Sequence, residues 1–179
     1  MHKTAWIVGR DLLDTEHVIA DIDAIRRYNP QRFEMEQLTA IVHEDASRHV
    51  CIGYKDLTQN ECWVRGHIPE SPAMPMPLMC EAAAQLVNYY IVKHELCMPP
   101  GCLLGLRRVR CRELVGPGER LFVVVKLLRV RIAQVVSQFQ CFVQRKLVCD
   151  GILVGGILPR MTASQLPTDT TTCVEASGD

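Results

Sequence analysis

A chain of 179 residues has the length of one domain, and its 48% hydrophobic residues are enough to build a core. Twenty basic and 20 acidic residues give a formal net charge of zero, which argues against a dedicated nucleic-acid-binding protein. No apolar run approaches the roughly 20 residues of a membrane-spanning helix, and the first residues do not read as a signal peptide. We therefore expect a cytoplasmic protein without a membrane span.

Nine cysteines are distributed along the chain. Their number is odd and no two form a Cys-x-x-Cys pair, so we expect neither a disulfide framework nor a metal site. Cys80, Cys141 and Cys149 lie in apolar stretches, where a free thiol behaves as a small hydrophobic group.

The first third of the chain predicts a lead-in over residues 1–13, then one helix and several strands. Apolar residues recur at helical spacing over residues 14–27, and Asn29-Pro30 ends that pattern. Strands are predicted over residues 37–43 and 48–55, joined by a polar turn, and a short strand over 61–64.

The middle of the chain predicts a stiff loop followed by a long buried helix. Three prolines restrict the loop over residues 66–76, and Pro77 suits the first turn of the helix over 77–96. This helix is apolar almost all round, except for one stripe formed by Glu81, Gln85 and Asn88. The stripe predicts a lined pocket, and the open alternative is that Gln85 and Asn88 pair with backbone groups at the subunit interface.

The remaining chain predicts a sheet. Strand-like runs cover residues 102–114, 120–131, 133–145 and 147–158, and Val-Gly-Pro-Gly at 115–118 is a strong turn signal. Long β-branched runs with short connections favour antiparallel pairing. We therefore predict an α+β domain over residues 14–159, with one long helix against an antiparallel sheet, and a disordered tail over 160–179.

His67 and Glu81 are the candidate catalytic residues. His67 lies in the proline-rich loop, and Glu81 lies one turn inside the apolar helix. An imidazole with an ordinary pKa near neutrality is a suitable base, and a carboxyl group among apolar side chains can supply a proton. The pair predicts a reaction in which one proton is removed and another is delivered.

The stretch from His67 to Gln85 resembles a family pattern, His-x-Pro-x-x-Pro-x-Met-Pro-x-x-Leu-Met-x-Glu-Ala-x-Ala-Gln. It is similar to the β-hydroxyacyl-acyl-carrier-protein dehydratases of fatty acid synthesis. Asn29-Pro30-Gln31-Arg32-Phe33 and Val115-Gly116-Pro117-Gly118-Glu119 resemble two further family segments. The resemblance implies a hotdog fold, in which a curved antiparallel sheet wraps a long central helix.

The resemblance also implies roles for matching residues. His67 would remove the proton next to a thioester carbonyl, Glu81 would protonate the departing 3-hydroxyl, and the Met76 N–H would polarise the carbonyl. Pro75, Gln85 and Asn88 would belong to the substrate site with Met76, which stands where the family usually has glycine. His67 and Glu81 would come from opposite subunits of a homodimer, and some members form trimers of dimers. The substrate would be a thioester of acyl-carrier protein or coenzyme A, without a cofactor.

Arg108, Arg110 and Arg112 share one parity in a predicted strand, so we expect them to point the same way. They would form a docking patch for an acidic carrier protein and its phosphate, or simply a solvated face of the strand.

Two other functions stay open. One is a different hotdog thioester enzyme, a thioesterase or an isomerase. The other is a non-catalytic hotdog scaffold that binds an acyl chain or a carrier protein.

Overall fold

One long helix lies against a single six-stranded sheet in the computed structural model, which describes residues 5–96, 102–131 and 134–156. The tail predicted over 160–179 lies outside the described residues. The elements are α1 (Ile22–Arg26), β1 (Ala40–Asp45), β2 (Val50–Asp56), α2 (Met76–Lys93), β3 (Cys102–Cys111), β4 (Arg120–Arg131), β5 (Gln134–Val143) and β6 (Lys146–Gly156), with short 3-10 turns at Arg10–Leu12 and Phe33–Met35.

The strands lie in the order β1-β2-β4-β5-β6-β3, and every neighbouring pair is antiparallel. The α+β layout predicted from the sequence is confirmed. Strand β3 follows α2 in the chain and pairs with β6. It is the last strand in the order, so it forms an edge of the sheet. The side chains of β3 are mostly exposed, including Leu103, Leu104 and Leu106.

The sheet carries an apolar core on each face. The inner core lies between the sheet and α2, and it includes Val123 and Val125 of β4. The outer core lies on the opposite face, where the segment 5–13 packs over Val124 and its neighbours. Gln140, which is fully buried, holds this segment with its amide, accepting from Ile7 N and donating to Ala5 O, both at 2.9 Å.

Helix α2 is buried along most of its length, as its apolar composition predicts. Pro77 lies in its first turn, where a missing N–H costs no helical hydrogen bond. At its other end, Glu44 of β1 accepts hydrogen bonds from Tyr89 and Lys93 and lies 2.9 Å from His94 Nε2. Burial would raise the pKa of Glu44, but these hydrogen bonds outweigh it and leave the pKa below its usual value. No helix within the described ranges is long and apolar enough to cross a bilayer.

Two local predictions were wrong. The helix predicted over 14–27 is reduced to α1, because Ile19 and Ala20 hydrogen-bond to Ile41 at the edge of β1 instead. The strand predicted over 61–64 is a series of turns, closed by bonds such as Val64 N–H to Glu61 O. In both segments, long-range or turn hydrogen bonds override the local pattern.

A bulge interrupts β3 where it passes Gly151 of β6. The register shifts between Arg107 and Arg110, and Arg108 adopts a left-handed φ of 53°. Val109 packs closely against Gly151. A Cβ at position 151 would lie 2.8 Å from Val109 Cγ2 and 2.9 Å from Phe139 Cε1. Glycine at this position therefore allows the bulge to sit against the inner core.

We predict that Gly151→Ala lowers the free energy of unfolding by about 1–3 kcal/mol, because the added methyl group overpacks this contact. Gly105→Ala is the matched control, since a Cβ there would meet nothing closer than Val154 Cβ at 4.0 Å. Urea unfolding of both variants measures the difference. Equal stability of the two variants would contradict the steric reading of the bulge.

Candidate active site

The loop before α2 fixes the ring of His67. Its backbone N–H donates to Trp63 O at 2.8 Å, and its ring Nδ1 lies 2.7 Å from Ala73 O. A carbonyl oxygen only accepts hydrogen bonds, so Nδ1 carries a proton and the neutral ring keeps its lone pair on Nε2. The ring is therefore held in a form that can accept a proton at Nε2.

A second loop holds the His67 loop in place. Met74 N–H donates to Val115 O at 2.7 Å, directly after the carbonyl that binds His67. The turn that begins at Val115 contains Gly118 with φ of 90°, and Glu119 closes it by accepting from Gly116 N–H at 2.7 Å. The turn predicted at 115–118 is confirmed, and its position shows that it supports the loop of His67.

The start of α2 presents an unused hydrogen-bond donor. Leu78 N–H donates to Pro75 O at 2.9 Å, and Pro77 has no N–H. Met76 N–H makes no hydrogen bond to any described residue, as expected for a first helical residue. Met76 does not need the positive φ that favours glycine, and its side chain packs against the inner core.

Glu81 is partly buried and accepts two amide hydrogen bonds at the same oxygen. Gln85 Nε2 lies 2.8 Å and Gln31 Nε2 lies 3.4 Å from Glu81 Oε1. Glu81 Oε2 accepts no hydrogen bond from the residues that the structure describes. The two carboxyl oxygens are therefore unequal: Oε1 is occupied by donors, and Oε2 is available.

Gln85 and Asn88 tie α2 to the segment between α1 and β1. Gln85 Oε1 accepts from Gln37 N–H at 2.9 Å, and Gln85 Nε2 donates to Met35 O at 2.6 Å. Asn88 Nδ2 donates to Tyr28 O and to Asn29 Oδ1. Gln85 and Asn88 thus pair with backbone groups of their own chain, and their pairing at a subunit interface stays a prediction.

Asn88 also faces a small apolar cavity of about 40 Å³ between α2 and the sheet. Ser137 of β5 lines the same cavity, and its buried hydroxyl has no hydrogen-bond partner among the described residues. The other lining residues are apolar or small, among them Ala84, Val87, Ile91 and Leu153.

Within one chain, no hydrogen bond joins the described side chains of His67 and Glu81. The structure places each in a separate setting: His67 in the loop before α2, and Glu81 in the polar stripe of α2. The role of each in catalysis stays a prediction.

The bulge breaks the alternation between Arg108 and Arg110, so parity alone no longer places Arg108 on the face of Arg110 and Arg112, and their shared docking role stays a prediction. Arg110 lies opposite Asp150 of β6. Arg112 Nε donates to Asp150 Oδ1 at 2.6 Å, and this hydrogen bond raises the pKa of Arg112. Arg108 and Arg110 are exposed, whereas the side chain of Arg112 is partly buried against Asp150.

Gln31 is the site residue that the sequence did not mark. It lies 50 positions before Glu81, and its buried side-chain oxygen has no hydrogen-bond partner in the part of the chain that the structure describes. Only the resemblance of the segment around Asn29-Pro30 pointed to this region. Among the described residues, no group of three or more His, Cys, Asp or Glu side chains could hold a metal ion.

The family profile described as a FabA-like domain matches residues 29–154. Curated relatives include the 3-hydroxyacyl-acyl-carrier-protein dehydratases FabZ of Clostridioides difficile and Oleidesulfovibrio alaskensis. The first is 28% identical over 141 residues, covering 78% of this chain and 99% of the relative. The second is 30% identical over 151 residues, covering 82% and 97%.

Solved structures agree on the fold. The dehydratase heterocomplex ApeI:P from Xenorhabdus doucetiae is similar with a TM-score of 0.64 and 18% identity, covering 79% of this chain and 95% of that chain. A hypothetical thioesterase with coenzyme A from Streptococcus pneumoniae TIGR4 gives a TM-score of 0.52 and 9% identity, covering 68% and 87%. The predicted hotdog fold is confirmed.

Proposed function

The chain belongs to the FabA-like family of β-hydroxyacyl-acyl-carrier-protein dehydratases, and on that premise we propose that it converts 3-hydroxyacyl thioesters into trans-2-enoyl thioesters. The observation that carries the proposal is the setting of His67, whose Nδ1 is bound to Ala73 O and whose Nε2 is thereby kept as a base. The curated relatives named as dehydratases match nearly their whole length, which supports the same reaction here.

The proposed reaction moves two protons and releases water. His67 Nε2 removes a proton from the carbon next to the thioester carbonyl, and the electron pair moves towards the carbonyl oxygen. The free N–H of Met76, at the positive end of the α2 dipole, would donate a hydrogen bond to that oxygen. Glu81 then gives a proton to the 3-hydroxyl group, the C–O bond breaks, and the double bond forms.

The unequal oxygens of Glu81 suggest which one carries this proton. Oε1 accepts from both Gln31 and Gln85, so it acts as an acceptor only. A proton on Glu81 would therefore reside on Oε2, which is free of protein donors. The two amides would hold the carboxyl group so that Oε2 points in one direction.

We propose that the working unit is a homodimer in which His67 of one subunit meets Glu81 of the other. The different hydrogen-bond partners of the two side chains within one chain support this arrangement. The edge strand β3 supports it as well, because it exposes Leu103, Leu104 and Leu106 beside an edge without a partner strand among the described residues. Assembly of three such dimers stays a prediction.

The substrate would be carried by acyl-carrier protein, in fatty acid synthesis or a related pathway, with coenzyme A thioesters as the second carrier. Arg108 and Arg110 are exposed beside the β3 bulge and would contact the acidic carrier. Arg112 would contribute less, since Asp150 already neutralises it. The cytoplasmic location predicted from the sequence stays a prediction.

We predict that His67→Ala and Glu81→Gln each reduce dehydration of 3-hydroxybutyryl and 3-hydroxydecanoyl thioesters by about 10²–10⁴-fold, because each removes one proton-transfer group. Enoyl thioester is measured by mass spectrometry on both carriers. His17→Ala and Glu16→Gln are matched controls, since both residues are exposed and lie outside the site. A folded wild-type dimer that forms no product would favour the scaffold alternative.

Mixing the two inactive variants tests the shared site. Random exchange of subunits gives half mixed dimers, each with one intact site, so activity should return to about one quarter of the wild-type value. No recovery, despite subunit exchange shown by native mass spectrometry, would place both residues of a site in one subunit.

We predict that Gln31→Leu lowers kcat about tenfold, because the carboxyl group of Glu81 loses one of its two orienting hydrogen bonds. KM should stay within about twofold, since Gln31 contacts Glu81 and not the acyl chain. Gln59→Leu is the control, as Gln59 is exposed. An unchanged kcat in Gln31→Leu would remove the orienting role.

We predict that reversing the charge of Arg108 and Arg110 to glutamate weakens binding of acyl-carrier protein about tenfold or more at low salt, because attraction becomes repulsion. Arg145→Glu is the control, since it is exposed in the turn between β5 and β6. Calorimetric titration at two salt concentrations measures the effect. Equal affinity for all three proteins would mean that the carrier docks elsewhere.

A further inference from the structure

Three cysteines lie side by side across three neighbouring strands. In the sheet register, Cys149 of β6 lies opposite Cys111 of β3 on one side and opposite Cys141 of β5 on the other. Cys80 of α2 is near enough to contribute to the raised pKa values of Cys149 and Cys141. All four are free thiols, and the dehydratase reaction proposed above uses none of them.

The hydrogen-bond pattern of the sheet shows which of the two cysteine pairs, Cys111–Cys149 or Cys141–Cys149, is closer. Arg112 N–H donates to Val148 O at 2.7 Å, which makes Cys111 and Cys149 a non-hydrogen-bonded pair in the antiparallel ladder. The Cα atoms of such a pair are about 4.5 Å apart and the side chains are close, within the roughly 4.4–6.8 Å that a disulfide spans. The backbone N–H and C=O of Cys149 therefore point towards β5. Cys141 and Cys149 form a hydrogen-bonded pair, whose Cα atoms are farther apart.

Access differs between the two thiols of the closer pair. Cys111 is exposed at the end of the edge strand, beyond the leucines through which β3 would meet a second subunit, whereas Cys149 is fully buried. Burial, with a smaller contribution from Cys80 and Cys111, raises the pKa of Cys149 to about 12. A reagent in solution therefore reaches Cys111 first, and Cys149 can meet only a sulfur that is already attached at Cys111.

We propose that Cys111 and Cys149 form a reversible disulfide by exchange with a low-molecular-weight disulfide. The Cys111 thiolate attacks one sulfur of the small disulfide, the S–S bond breaks, and one small thiolate leaves. Cys149 loses its proton and attacks the Cys111 sulfur, and the second small thiolate leaves. The two protein thiols are oxidised by two electrons, and the small disulfide is reduced to two thiols.

The proposed disulfide would form close to the segment that supports the loop of His67. Cys111 ends β3, and four residues later Val115 O accepts the hydrogen bond of Met74, beside the loop of His67. A covalent link between β3 and β6, added to their hydrogen bonds, would fix the start of this connection. The site is thus a modification site for small disulfides, next to a segment that supports the candidate base.

The test exposes the full chain to excess oxidised glutathione, blocks remaining thiols with N-ethylmaleimide, and maps peptides by mass spectrometry. We expect a cross-linked peptide pair joining Cys111 to Cys149, a loss of two hydrogens, and full reversal by excess reduced glutathione. Cys62→Ser, which removes another exposed thiol, should leave the cross-link unchanged. Cys111→Ser should abolish it while leaving Cys149 unreacted.

Cys149→Ser should stop at one glutathione attached to Cys111, because the second attack is missing. Three results would overturn the proposal. They are wild-type protein that keeps glutathione on Cys111, a covalent dimer joined through Cys111 of two copies, and reaction confined to Cys62. Cys111→Ser keeps the proposal testable even if a polar group at the buried position 149 prevents folding, since Cys111 is exposed.

Discussion

The burial of α2 is the constraint on which the rest of the structure depends. A helix that is apolar almost all round can be stable only when other elements cover it, and here the curved sheet covers most of it. The polar stripe of Glu81, Gln85 and Asn88 then needs hydrogen-bond partners in a buried position. The segment over residues 28–37 supplies them, and it brings Gln31 to Glu81 as a consequence.

Much of the fold could be predicted from the sequence, because its main elements carry strong local signals. The apolar run of α2, begun by Pro77, and the long β-branched run of β4 leave little choice of structure. The failures lie where partners distant in the chain decide. Ile19 and Ala20 continue a helical pattern, yet they pair with Ile41. Strict alternation along β3 gave no sign of the bulge, which depends on the room that Gly151 leaves for Val109.

The candidate site could be predicted only in part, for the same reason. His67 and Glu81 stand out because stiff prolines and an apolar helix surround them, and Gln85 follows Glu81 at a spacing that lets them meet. Gln31 carries no such signal, since its contact with Glu81 spans 50 positions. The support that Val115 gives to Met74 likewise joins segments 41 positions apart. Local pattern marks the candidate catalytic groups, whereas the residues that contact and orient them emerge only from the folded chain.

The two cores have a consequence for how this protein tolerates change. Along β4, Val123 and Val125 belong to the inner core and Val124 belongs to the outer core, so neighbouring residues share a backbone but no packing partners. Energetic effects of substitutions add when sites share no contacts and couple when they do. The outer layer can therefore vary its volume and shape with little effect on the layer that holds α2. Because the sheet separates the two cores, a substitution in the outer core and one in the inner core should have additive effects on the free energy of unfolding.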